Sequence, residues 1–163
     1  MTAYDAAEWT DLFVAAAGAS AALTGLLFVA VSINIDRIIG TPGLPDRALQ
    51  VLAQLLAVVV VSLLALAPGQ ATATLGIEVL AVGAPLVVAG FILIRRAMRA
   101  TTAVASELPR QLLAAAGSVP FAVAGISLIA ESGGGLYWVL AGTVLGLVGA
   151  VLNAWVLLVE ILR

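Results

Sequence analysis

An all-α fold is predicted, a polytopic membrane bundle of about five transmembrane helices in one domain over residues 1–163. Three observations predict it. The chain is 63% hydrophobic and 10% charged, whereas soluble domains run at roughly 45–50% apolar and about 25% charged. A chain so poor in polar residues cannot cover a water-facing surface. Its apolar residues gather in five long runs, each reaching the ~20 residues that cross a ~30 Å hydrocarbon core. Its arginines fall in three places that five crossings bring to one side.

The runs follow in order. Span one, residues 12–35, comes after the acidic start MTAYDAAEWTD. That start lacks the basic region of a signal peptide, and the run exceeds a signal peptide's apolar length, so it is expected to be retained. No lipidation signal is expected at either end. The span closes with Ser32 and Asn34, before a loop holding Gly40, Pro42, Gly43 and Pro45. Span two, residues 48–67, opens with Gln50 and Gln54, one turn apart, and ends at Pro68-Gly69-Gln70. Span three, residues 71–94, contains Glu78 and Pro85. A long basic loop is expected from Arg95 to Arg110, with Pro109 starting the next helix. Span four, residues 111–130, contains Pro120 and leads into Ser132-Gly133-Gly134-Gly135. Span five, residues 136–162, carries Asn153 and ends with Glu160 before Arg163. Glycine and proline end helices, one for want of a restraining Cβ and the other for want of an amide hydrogen. The two tight connections, after spans two and four, require antiparallel hairpins. None of the runs alternates in polarity as barrel strands do.

Arg37 and Arg47 lie in the first loop, Arg95, Arg96, Arg99 and Arg110 around the third, and Arg163 at the C-terminus. Five spans place all of them on one side, which the positive-inside rule makes cytoplasmic. The N-terminus is then outside and the C-terminus inside. Trp9, Tyr137 and Trp138 fall at the outer interface, where amphipathic rings prefer to sit, and Trp155 toward the inner one. All positive side chains are arginine, a bias that fits a GC-rich bacterial genome. The bacterial plasma membrane is the expected location.

The absent residue types exclude chemistry. The chain has no His and no Cys, so the common ligands of zinc, copper, haem iron and iron–sulfur clusters are lacking, and disulfides with them. It has no Lys, so no Schiff base forms with retinal or pyridoxal phosphate. No cofactor and no metal is expected. The net charge of −2 and the lack of a basic, aromatic-studded patch argue against nucleic acid as a partner. Nothing suits hydrolysis or group transfer, so no enzymatic activity is expected. A membrane-embedded enzyme would need catalytic carboxylates, and Glu78 alone stands near such a position.

Small residues mark the helix-packing candidates. Span one has Gly18 and Gly25, span three Gly76, Gly83 and Gly90, span five Gly142 and Gly146. Lipid gives little hydrophobic drive between helices, so close backbone approach through small residues carries association, within a chain or between chains. The polar candidates are Ser20, Thr24, Asn34, Gln54, Glu78 and Asn153. An amide in hydrocarbon needs a partner, and Asn34, Gln54 and Asn153 are expected to converge, as a hydrogen-bonded clasp or as the lining of a polar path. Glu78 lies deep if its helix begins near Ala71, and at the interface if it begins near Gly76; an intramembrane acid points to function.

The first span, AAAGASAALTGLLFVAVSINIDRI, resembles the start of a family of small bacterial membrane proteins with an A-L-T-G-L-(L/I)-F-V-A-V-S-(L/I)-N pattern. Leu44-Pro45-Asp46-Arg47-Ala48-Leu49 is similar as well. The likeness covers about the first third of the chain and implies no particular activity. The same span looks like the pore helix of Orai calcium channels, which implies a hexameric cation pore. Val31-Ser32-Ile33-Asn34 stands where that family has its acidic selectivity residue, and the basic inner extension is missing.

The function expected is non-enzymatic association in the membrane, as a homo-oligomer or an accessory subunit, with lipid and membrane protein as partners. The alternative is a small oligomeric ion channel or transporter, its path lined by Ser20 and Thr24 or by the Asn34, Gln54 and Asn153 cluster.

Overall fold

The computed structural model of the chain describes residues 3–41, 43–99 and 104–162, with side chains over 3–41, 43–95 and 117–155. The side chains of Arg96, Arg99, Arg110, Arg163, Pro42, Pro109 and Glu160, all named above, lie outside the described residues. A 3-10 turn, Ala6–Trp9, leads into α1 (Thr10–Ile33), α2 (Ile35–Gly40), α3 (Leu44–Ala65), α4 (Thr72–Arg99), α5 (Val104–Ile129) and α6 (Leu136–Leu162). No strand occurs among the described residues.

Among the described residues, four segments are long and apolar enough to cross a membrane: Ala6–Ile33, Leu44–Ala65, Thr72–Arg95 and Leu136–Trp155. In α5 the described apolar stretch is Gly117–Ile129.

Helix boundaries depart from those of the apolar runs. The first run divides at Asn34, and α2 is a separate short helix. α3 begins at Leu44, four residues before its run, because the fixed φ of Pro45 suits a helix's first turn. Helix extends to Arg99 and resumes at Val104, so most of the loop expected over 95–110 is helical, and position 109 lies inside α5 rather than at its start. Arginine ends an apolar run but is a good helix former. Hydropathy marks the edge of the lipid, not the end of the helix.

α4 and α5 pack most extensively, then α5 with α6. α3 lies against α1, α6 and α4, and α1 is peripheral, seated on α3 with little touching α6. Up-and-down order brings the N-terminal segment, the α3–α4 turn and the α5–α6 turn to one end, here the near end. There Ala3 O accepts from Leu136 N at 2.7 Å, Tyr4 O accepts from Thr72 Oγ1 at 3.1 Å, and Tyr4 Oη accepts from Gly134 N at 3.1 Å. Arg37, Arg47 and Arg95 belong to the opposite, far end.

The core has two main apolar layers. The larger, toward the near end, joins Phe13 of α1, Val58 and Val61 of α3, Val79 of α4, Phe121 of α5 and Val139 of α6. The smaller, toward the far end, joins Leu27, Val51, Leu55 and Ala150. Large apolar side chains also cover the outside: Ile33 is 77% exposed, Leu26 70% and Trp155 69%. Such a surface suits lipid as its solvent and would be a liability in water.

Candidate functional site

Glycine sets the closest helix contacts. A Cβ on Gly125 of α5 would lie 2.6 Å from Leu80 Cβ and 2.7 Å from Leu80 N of α4. On Gly76 it would lie 2.9 Å from Gly125 O, and on Gly83 2.8 Å from Ala122 N. These two glycines of α4 therefore pack inside the chain, against α5. Gly142 of α6 faces the Phe121 ring, where a Cβ would come within 3.2 Å. Gly90 is buried yet has open space where its Cβ would stand.

Between the two apolar layers stands Gln54 of α3, 7% exposed. Its Oε1 accepts from Ser118 Oγ of α5 at 2.9 Å. Its Nε2 is buried and has no hydrogen-bond acceptor among the described residues. Two glycines make room for the amide. A Cβ on Gly146 of α6 would come within 2.8 Å of Nε2, and one on Gly117 of α5 within 3.0 Å. Leaving such a group unsatisfied costs about 1–3 kcal/mol. Gln54, Gly117 and Gly146 line a cavity of about 10 Å³, together with Gln50, Gly149 and Asn153.

The expected meeting of three amides is thus a meeting of two. Gln54 and Asn153 share the cavity, while Asn34 caps α1 and donates from Nδ2 to Ala30 O at 2.9 Å. Asn153 likewise donates from Nδ2 to Gly149 O at 2.9 Å. In lipid these local bonds satisfy part of an amide without help from another helix.

α1 presents opposite faces to opposite surroundings. Phe13, Ala16, Ser20 and Leu27 are buried. At about 100° per residue, Ala15, Gly18, Ala22 and Gly25 fall on the far side of the helix, and all four are exposed. A Cβ on Gly18 or Gly25 would meet nothing within 4 Å. Ser20 is fully buried, its Oγ without a partner among the described residues, and Thr24 Oγ1 donates to Ser20 O at 2.7 Å. Neither side chain lines the cavity at Gln54 or the cavity at the near end.

At the near end, α4 begins at Thr72, which puts Glu78 about 9 Å along the helix. Its Oε2 accepts from Gln70 Nε2 in the α3–α4 turn. An open cavity of about 620 Å³ lies between the N-terminal segment and that turn, lined by Tyr4, Asp5, Thr10, Pro68 and Gln70 among others. Among the described residues no cluster of His, Cys, Asp or Glu is arranged to hold a metal ion.

Ser118, Gly117 and Gly125 do not stand out among the polar and packing candidates of the sequence, although Gly117-Ser118 inside an apolar run is a readable signal of close packing beside a hydroxyl. No protein-family model, curated protein or solved structure matches this chain.

Proposed function

We propose that this chain is a non-enzymatic protein of the bacterial plasma membrane. On this reading it crosses five times, with its N-terminus outside, and works by associating with further copies of itself through α1. The observation that carries the reading is the open stripe of α1. Gly76, Gly83, Gly142 and Gly146 are filled by neighbouring helices of the same chain, whereas Gly18 and Gly25 face outward with nothing opposite them. A stripe of small residues allows two backbones to approach closely, which in lipid is a main source of helix affinity. A stripe facing lipid alone would forgo that contact.

The fifth crossing is assigned to α5, which runs antiparallel between α4 and α6. The channel reading draws less support, since the Gln54 and Asn153 amides line a space of about 10 Å³, roughly what one water requires.

Replacing Gly18 and Gly25 together by leucine tests the proposal. The single-chain fold has room for both side chains, so the melting temperature in mild detergent should hold or rise. Native mass spectrometry should show an oligomer for the wild type and a monomer for the variant. A wild type that is monomeric in native-lipid nanodiscs overturns self-association. A different protein that co-purifies from the native membrane, and is lost in the variant, would make the chain an accessory subunit instead.

A further inference from the structure

We propose that the cavity where α3, α5 and α6 meet is a built site for a single water molecule, held by the side-chain amide of Gln54. Four observations converge on it. The Gln54 side chain is more than nine-tenths buried, and its Nε2 faces the cavity with no protein acceptor among the described residues. The other end of the same amide is fixed by Ser118 Oγ, so the group cannot turn away without giving up that bond. Gly117 and Gly146 leave room for the amide to reach the cavity, since a Cβ would crowd Nε2 at 3.0 Å from Gly117 and at 2.8 Å from Gly146. The volume, about 10 Å³, suffices for one water centre.

The lining selects the ligand class. Gln50, Val51, Gln54, Leu145, Ala150 and Asn153, with three glycines, are all neutral. A halide or a metal ion would have to shed its hydration without a compensating charge. Water carries no such cost and can both accept and donate. It accepts from Gln54 Nε2 and donates onward to carboxamide oxygen. Asn153 in the lining, whose Nδ2 donates to Gly149 O, offers such an oxygen. Buried waters commonly make about three such bonds to groups the fold leaves unsatisfied. The water would therefore complete a polar layer linking α3, α5 and α6 between the two apolar layers. The water site lies in the interior of one chain and is independent of the α1 association.

The test is water-selective NMR on the full chain in perdeuterated detergent, with glutamine side chains labelled with ¹⁵N and the Gln54 signal assigned by its loss in Gln54→Met. The expected result is a cross-peak between the Gln54 amide protons and water with opposite signs in NOE and ROE spectra relative to the diagonal, as for a long-lived bound water. It should disappear in Gly146→Ala, whose methyl crowds Nε2 and displaces the amide from the cavity. A resolved Gln54 amide with no water cross-peak overturns the proposal. So does a cross-peak with the signature of rapidly exchanging bulk water, or one unchanged in a folded Gly146→Ala. Should that variant not fold, the sign of the wild-type cross-peak decides.

Discussion

At the scale of single residues, glycines that look alike in sequence have different work. Gly125 lets Leu80 of α4 approach to a distance that no side chain allows, so Gly125→Ala must push two backbones apart. Overpacking of this kind costs about 1–3 kcal/mol, and a clear fall in melting temperature in detergent is expected. Gly90 is buried but open at its Cβ position. Gly90→Ala should be neutral or gain up to about 1 kcal/mol from helix propensity. Thermal unfolding of the two variants side by side checks the contrast. Spacing alone could not separate these cases. In a soluble helix the polar face shows which glycines look outward; here both faces are apolar, so Gly18, Gly76 and Gly90 read the same. The amides were more legible. Gln54 is conspicuous in an apolar run, and its need for a partner follows from its chemistry. That the partner is Ser118, while Asn34 turns back onto its own helix, depends on rotation about helix axes, which residue identity does not specify.

At the scale of elements, the near end is tied by the N-terminal segment, which no apolar run announces. Residues 3 and 4 reach the α5–α6 turn and the start of α4 through three hydrogen bonds. Gly135, at φ +46°, sits where a Cβ would collide with Ala3 O and within 2.7 Å of the Tyr4 ring. Gly135→Ala should therefore lift the segment off. The expected signs are faster hydrogen exchange at Tyr4 through Trp9, a loss of about 1–2 kcal/mol as bonds to the turn go unmade, and little change at the far end. Exchange measured by mass spectrometry distinguishes this local release from global loosening. The existence of the helices was readable because ~20 apolar residues have few other options in lipid. Their far-end limits were not, because α4 continues through arginines that leave the apolar run without leaving the helix. The break at Asn34 was visible only as a closing polar residue. The structure shows that its carboxamide takes the Ala30 carbonyl as the chain turns into α2.

At the scale of the whole molecule, the arginines and the up-and-down order constrain one another, and this yields the topology prediction. Arg37 and Arg47 flank the α1–α3 connection, Arg95 lies near the end of α4, and Arg163 follows α6 in sequence. If α5 crosses, all of these share a side and the opposite loops carry no positive charge. If α5 lies flat instead, α6 begins on the arginine side and delivers Arg163 to the other, against the positive-inside tendency. Among the described residues α5 meets Gly76 near the start of α4 and Gly146 midway along α6, so it runs from the near end to the middle of the bundle, as the proposed fifth crossing requires. The chain has no cysteine, so single cysteines can report sides without background. Ala67→Cys and Ser132→Cys stand at exposed positions in the two near-end turns, and Thr41→Cys is exposed in the first far-end connection. With five crossings and the N-terminus outside, a membrane-impermeant maleimide should label Ala67→Cys and Ser132→Cys in intact spheroplasts, and Thr41→Cys only after permeabilisation. Labelling Ala67→Cys but not Ser132→Cys before permeabilisation would remove α5 from the spans. The reverse labelling of all three would invert the protein. Either result would leave the helix contacts as they are and change the compartment each end faces.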